Sequence, residues 1–221
     1  MKITHSFHPT PGAGKGTIGA YIKSAFNYDN YSSGDLLRGE VNNNTDIGLK
    51  IKETLNDGKQ VEDSLITTIV INKIDNLVKE KANFVFDGFP QTDSQQKALD
   101  DFSFTHKELE LHYIFVMVDE KKALDRMVNR LSCKKCNAIY CKTLLKNEMQ
   151  LICENCSSQL MKRESDNCEK AINRLKIFKE TTRHLIDEIK SRKICFVIDG
   201  DNPLLSIQEK VNDFILSFCV R

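Results

Sequence analysis

The sequence lacks an excess of charge of either sign, any long apolar run, and tryptophan altogether. Its 221 residues carry 32 Lys+Arg against 31 Asp+Glu, a formal net charge of +1. That balance argues against a polycation that binds nucleic acid through bulk charge. The longest apolar stretches, such as Tyr113 to Val118, are far too short to cross a bilayer. Met1-Lys2-Ile3-Thr4-His5 has no apolar core of a secretion signal. Neither an internal repeat nor a long linker is visible. The expectation is a cytoplasmic chain without a nucleic-acid or membrane partner. A Lys- and Asn-rich composition without Trp hints at an AT-rich genome. What is present, 40% hydrophobic and 29% charged residues, excludes a fully disordered chain. The length suffices for one substantial core, alone or with small appendages.

Five short β-like runs punctuate the chain: Lys2 to Phe7, Tyr28 to Ser32, Asn83 to Phe86, His112 to Val118 and Ile194 to Ile198. Each leaves through a polar or glycine-bearing segment. Helix-like stretches lie between them, with apolar residues three and four apart. Examples are Leu65 to Val78 and Ala171 to Ile189. Alternating strands and helices predict an α/β fold with a mostly parallel sheet covered on both faces. Ligands of such folds sit outside the carboxyl ends of the strands. Residues 131–168 interrupt the rhythm and read as a small inserted subdomain. Asn42 to Asn44 reads as a turn or helix end.

Directly after the first strand comes Pro9-Thr10-Pro11-Gly12-Ala13-Gly14-Lys15-Gly16-Thr17. Phosphate oxygens need many donors converging on a small volume. Glycines let backbone N–H groups approach unobstructed, and the following helix adds its unpaired N–H groups and dipole. Lys15 supplies a mobile positive charge and Thr17 a hydroxyl for Mg²⁺ or phosphate. Pro9 stands where G-x-x-x-x-G-K-[ST] has its first glycine, and Gly16 separates Lys15 from Thr17. Proline brings no N–H, which alters the loop entrance. A chance glycine-rich turn is the plainer alternative.

Of eight cysteines, six fall between 133 and 168, and four form Cys133-x2-Cys136-x16-Cys153-x2-Cys156. That spacing suits a four-thiolate zinc site. Four thiolates leave no position for water, so the ion would be structural. Redox-active C-x-x-C pairs and a nucleic-acid-binding zinc ribbon are the alternatives; Lys134, Lys135, Lys142 and Lys146 are basic, but Tyr140 is the one aromatic nearby. Cys141, Cys168, Cys195 and Cys219 lack such spacing and read as small packing residues.

The Gly-Ala-Gly-Lys-Gly-Thr ending of the loop resembles the adenylate kinase family. The likeness continues through Tyr31-Ser32-Ser33-Gly34-Asp35-Leu36-Leu37-Arg38, Gly58-Lys59-Gln60-Val61 with Asp63, and Asp87-Gly88-Phe89-Pro90 with Gln95. It goes on through Arg126 and Arg130, then Arg163 and Asp166, and then Arg174-Leu175. It covers nearly the whole chain in order and is closest to the long-lid, zinc-containing bacterial type.

The resemblance implies reversible phosphoryl transfer, MgATP plus AMP to two ADP, by a P-loop nucleoside monophosphate kinase with a five-stranded parallel sheet. It also implies a core of 1–31, 62–128 and 167–221, an AMP-binding domain of 32–61 and a lid of 129–166 holding zinc. The ATP site it implies comprises Gly12, Ala13, Gly14, Lys15, Gly16, Thr17, Arg126, Arg130, Ile139, Tyr140 and Asn202. The AMP site comprises Ser33, Arg38, Lys59, Gln60, Val61, Gly88, Phe89, Pro90, Gln91, Gln95, Arg163 and Arg174. Lys15, Asp87, Arg126, Arg130, Arg163 and Arg174 would carry the transfer. Arg38, Arg126, Arg130, Arg163 and Arg174 would converge on the phosphates, which suits the planar fork of Arg. Asp87, at a strand end near the loop, is the best carboxylate to hold the water shell of Mg²⁺, although it could be a plain turn former before Gly88. No general base is required, because phosphoryl transfer needs positioning and charge neutralisation. The expected partners are ATP, AMP and ADP, and the expected state is a monomer.

Besides Pro9, three positions depart from the family's pattern. Gln91 stands for the arginine of D-G-F-P-R-T, Ser165 for the first aspartate of R-x-D-D, and His184 for the proline of T-x-P-L. Exchanging a charge-assisted pair for neutral hydrogen bonds at Gln91 costs about 1.5–3 kcal/mol. Two alternatives follow: a catalytically weakened nucleotide-binding relative, or a nucleoside monophosphate kinase with a different donor or acceptor.

Overall fold

The computed structural model describes residues 2–7, 10–56, 59, 61–136, 138–145, 151–162, 167–192 and 194–219. Of the residues singled out from sequence, Pro9, Gly58, Gln60, Lys146, Arg163, Ser165 and Asp166 lie outside these, as does the side chain of Cys219.

Five strands form one parallel sheet: β1 (Lys2–Phe7), β2 (Asp29–Ser32), β3 (Phe84–Asp87), β4 (Leu109–Met117) and, late in the chain, Cys195–Asp199. The last is β8, and the spatial order is β2-β3-β1-β4-β8. Phe84–Phe86 of β3 and Tyr113–Met117 of β4 read as unbroken apolar runs because both faces are covered there. Val85, Ile114 and Val116 face one core with Ile18 and Ile22 of α1 (Lys15–Phe26) and Val211 and Ile215 of α9 (Leu204–Cys219). Phe84 and Phe86 face the other side, against α4 (Asp63–Lys79) and α5 (Asp93–Thr105). β1 runs between β3 and β4, and its last residue, Phe7, is in register with Asp87 and Ile114. That register delivers the glycine-rich loop beside Asp87.

Two helices, α2 (Ser33–Asn42) and α3 (Asp46–Asn56), pack as a pair on α4 through Leu37, Ile51, Val61 and Ile69. Between them the chain turns at Asn43 and Asn44, the latter at φ 51°. After α6 (Glu120–Val128) comes a small antiparallel sheet of order β6-β5-β7: β5 (Arg130–Cys133), β6 (Ile139–Cys141) and β7 (Leu160–Met161). Its core is slight, with Leu131, Cys133, Cys153 and Leu160 buried. Two of those four residues are cysteines of the paired motifs, so apolar burial alone gives this subdomain little order.

The spacing over Ala171 to Ile189 predicts one helix. The structure has α7 (Cys168–Ile177) and α8 (Arg183–Ser191) joined by a π turn over Phe178–Thr182. Ala171 and Leu175 belong to the core with α6, whereas Leu185, Ile186 and Ile189 pack on Tyr113 and Phe115. One extra residue in the turn rotates the second stretch onto that other face. No helix among the described residues is long and apolar enough to cross a membrane.

Candidate active site

α1 begins without a side-chain cap. Its N-cap is Gly14 at φ 88°, whereas Thr92, Asp119 and Asn167 cap α5, α6 and α7 with their side-chain oxygens. An uncapped start leaves first-turn N–H groups for a ligand. Ahead of it, Gly12 has φ 86°, and a Cβ there would stand 2.4 Å from the Ala123 carbonyl oxygen. Both the backbone conformation and the close approach of α6 demand glycine. Thr10 anchors the loop to β4: its N–H donates to the Val116 carbonyl at 3.0 Å. Its hydroxyl accepts from Val118 N–H at 3.4 Å. Sequence reading passed over this residue, a buried polar one between two prolines.

Lys15 and Asp87 face each other across the loop, Nζ to Oδ1 3.9 Å. Oδ1 of Asp87 is buried and accepts no hydrogen bond. Burial raises the Asp87 pKa above its ordinary 3.8; Lys15, Arg130 and Arg38 pull it down, and Asp35 adds to the rise. Lys15, Arg38 and Arg130 are thus all within electrostatic reach of Asp87. Arg38 leans on Asp35, one turn earlier on α2. Arg126 sits apart from that group: its guanidinium donates to the Gly200 carbonyl at 3.2 Å, in the turn after β8. Asn202 belongs to the same turn and donates to the Asp199 carbonyl at 3.0 Å. Arg174 is half-buried on α7, one turn before the π turn. Thr17 is exposed at the start of α1, and Ala13 is buried.

A cavity of about 180 Å³ opens between α2, α4 and the β3–α5 loop. It is lined by Ser33, Lys59, Val61, Gly88, Gln91 and Gln95, which sequence reading named, and by Gly34, Leu37, Leu55 and Ile66, which it did not. Phe89 and Pro90 are buried behind this wall. Ser33 Oγ and Gln91 Nε2 both donate to the Gly88 carbonyl, at 2.8 and 2.9 Å. From the π turn, Thr182 Oγ1 donates to the Gln91 carbonyl at 3.1 Å. His184 contacts Asp93 at 2.8 Å, joining α8 to the start of α5.

In β6 successive side chains point to opposite sides, and the two residues there part company. Ile139 reaches the phosphate loop: a Cβ on Gly16 would meet its Cδ1 at 2.6 Å. Tyr140 turns the other way, its hydroxyl 3.4 Å from Cys153 Sγ and accepting from Glu154 N–H at 3.0 Å. The four thiols of Cys133, Cys136, Cys153 and Cys156 all lie within 4.8 Å of one another. Two of their Sγ pairs are 3.4 Å apart. A tetrahedral zinc with Zn–S bonds of about 2.3 Å fits such a cluster. The Tyr140 hydroxyl, and after it the Cys136 thiol, hold Cys153 down to about 6 against the opposing effect of burial. A thiol so lowered is ready to ligate. The larger cavity, about 360 Å³, lies between the β4 exit and α7, and among its lining residues are Thr10, Val118 and Phe178.

Comparison with known proteins adds the following. The family profile described as adenylate kinase matches residues 8–194. The adenylate kinase of Hydrogenobaculum sp. (strain Y04AAS1) is 32% identical over 206 residues, covering 93% of this chain and 96% of that protein. That of Caldicellulosiruptor bescii is 34% identical over 203 residues, covering 91% and 93%. That of Clostridium tetani is 30% identical over 207 residues, covering 93% and 94%.

Proposed function

This chain belongs to the adenylate kinase family, and from that premise we propose that it moves a phosphoryl group reversibly between ATP and AMP, giving two ADP. The observation that carries the reading is Asp87 Oδ1, buried without a hydrogen bond and 3.9 Å from Lys15 Nζ at the mouth of the loop. A buried carboxylate oxygen left unpaired is costly unless a ligand completes it. An oxygen ligand of this kind fits the water shell of Mg²⁺. Mg²⁺ bound with ATP would supply charge neutralisation across the transferring phosphates.

The chain's own residues do the rest. The N–H groups of Gly12, Gly14, Lys15 and Gly16 hold the triphosphate, while those of Ala13 and Thr17 donate to the Thr10 and Gly14 carbonyls and brace the loop. Lys15 and Arg130 bring positive charge to it, and Arg38, on α2, brings charge to the acceptor phosphate. The cavity walled by Ser33, Val61, Gly88 and Gln95 takes the acceptor nucleotide, and Arg126 and Asn202 flank the donor's base at the β8–α9 turn. Residues 129–166 act as a lid stapled by zinc at Cys133, Cys136, Cys153 and Cys156, and residues 32–61 as the acceptor domain. Closing both excludes water, which guards ATP against hydrolysis. Reduced thiols and these substrates suit the cytoplasm.

A coupled assay of ADP formation from ATP and AMP tests this; absence of turnover at micromolar enzyme overturns it. A second reading, a weakened enzyme, has one observation in its favour. Gln91 spends its Nε2 on the Gly88 carbonyl and brings no charge to the acceptor cavity.

A further inference from the structure

The acceptor cavity contains one side chain whose hydrogen bonds are fixed at both ends. Gln95 is 1% exposed. Its Oε1 accepts from the Gln91 backbone N–H at 2.8 Å, and its Nε2 donates to Asp63 Oδ1 at 2.7 Å. A backbone N–H only donates and a carboxylate only accepts. Turning the amide over would set donor against donor and acceptor against acceptor. Gln95 is therefore held in a single orientation. Asp63 is held in turn by the Thr92 and Ser94 hydroxyls, which both donate to its Oδ2.

We propose that Asp63 is a specificity-determining positioning residue: by locking the Gln95 amide it makes the acceptor cavity select a 6-amino purine over a 6-oxo purine. The proposal rests on the acceptor reading of this cavity. Leu37, Leu55, Val61 and Ile66 give the cavity apolar walls suited to a flat ring. Gln95 lines the cavity, and the two bonds leave one N–H and one oxygen lone pair of its amide unused. Adenine offers an acceptor at N1 beside a donor at its 6-amino group. Hypoxanthine offers a donor at N1 beside an acceptor at O6, the reverse pattern. An amide free to turn over satisfies either edge, whereas a locked one satisfies only one. Asp63, on α4, is not among the residues lining the cavity, so it acts through Gln95 without touching the nucleotide.

The test is calorimetric titration of AMP and of IMP, without ATP, into wild type, Asp63→Asn and Ser94→Ala. An asparagine at position 63 can offer either an oxygen or an NH₂, so one of the two fixed ends is released with little change in shape, and only the Gln91 N–H still orients the amide. Wild type is expected to bind AMP at least about fivefold more tightly than IMP. Asp63→Asn should lower that ratio about twofold or more, while Ser94→Ala, which leaves the Asp63–Gln95 bond in place, should keep it. A folded Asp63→Asn with the wild-type ratio, or a wild type that does not distinguish the two, overturns the proposal. A wild type that binds neither nucleotide overturns the acceptor reading and the proposal with it. A second readout needs no variant: one Gln95 side-chain amide proton of the ligand-free enzyme should exchange slowly with solvent. Fast exchange of both protons overturns the lock.

Discussion

Ile139, on the second strand of the small sheet, lies over Gly16 in the first turn of α1, its Cδ1 2.6 Å from where a Cβ would stand. Gly16 has ordinary helical geometry, so this neighbour, and not backbone strain, is what an added methyl meets. Alanine would favour the helix by about 0.5–1 kcal/mol through chain entropy. Gly16→Ala should therefore raise thermal stability slightly while raising the KM for ATP a few-fold, because the lid seats less closely. Adding Ile139→Ala should return the KM toward wild type. If the double variant binds ATP as poorly as Gly16→Ala alone, the methyl interferes with the phosphates and not with the lid.

Asp87 bears a cost that ligand-free protein should reveal. Burial raises its pKa above the ordinary 3.8. The folded state then holds the proton more tightly than the unfolded chain, so stability falls as pH rises from 3.8 through the folded value. Asp87→Asn lacks this loss. At neutral pH it should melt no lower than wild type without nucleotide, yet turn over at least about a hundredfold more slowly. Melting curves from pH 4 to 8 beside the coupled assay check both. A variant that melts much lower and stays active would contradict the role given to this carboxylate.

At Gln91 the backbone is secured at both ends, by Gln95 Oε1 on its N–H and by Thr182 Oγ1 on its carbonyl. Exchanging the side chain should leave that frame in place. Gln91→Arg restores a charge-assisted partner for the acceptor phosphate, about 1.5–3 kcal/mol. The KM for AMP should fall about tenfold or more, with the KM for ATP unchanged. An unchanged AMP response would remove Gln91 from any account of weakened activity.

The cysteine cluster should bring about one zinc per chain when the protein is purified reduced. Its removal by a chelator should loosen the small sheet, whose core has four buried members among the described residues, two of them cysteines of the cluster. ATP affinity should then fall more than AMP affinity, since Ile139 rides on that sheet. Less than about half an equivalent of zinc in reduced protein would withdraw the metal. Cys153→Ser should reproduce the loss of order.

Much of this molecule was legible in local pattern. β3 and β4 announced themselves as short apolar runs, the loop as glycines between a strand and a helix, and the four-thiol cluster as cysteines at fixed spacing. These signals are local because strand, turn and ligand-loop geometry involve only a few neighbouring residues. The π turn was not legible, since Ala171 to Ile189 keeps a helical apolar spacing. Only the two different surfaces waiting for its halves require the extra residue. Tyr140 likewise stood where a lid residue touches nucleotide, yet strand alternation turns its hydroxyl to Cys153.

The order of residues alone determined that a phosphate loop, a carboxylate at a strand tip and a four-thiol cluster exist, because each is written in consecutive or closely spaced residues. Only the tertiary structure decided what those groups face. Asp63 meets Gln95 across 32 positions, Thr182 meets Gln91 across 91, and Lys15 meets Asp87 from a different strand's end. Such pairings depend on how helices stack and strands register, and burial then determines which oxygen is left without a partner. That is a property of packing, which the linear spacing of residues does not encode.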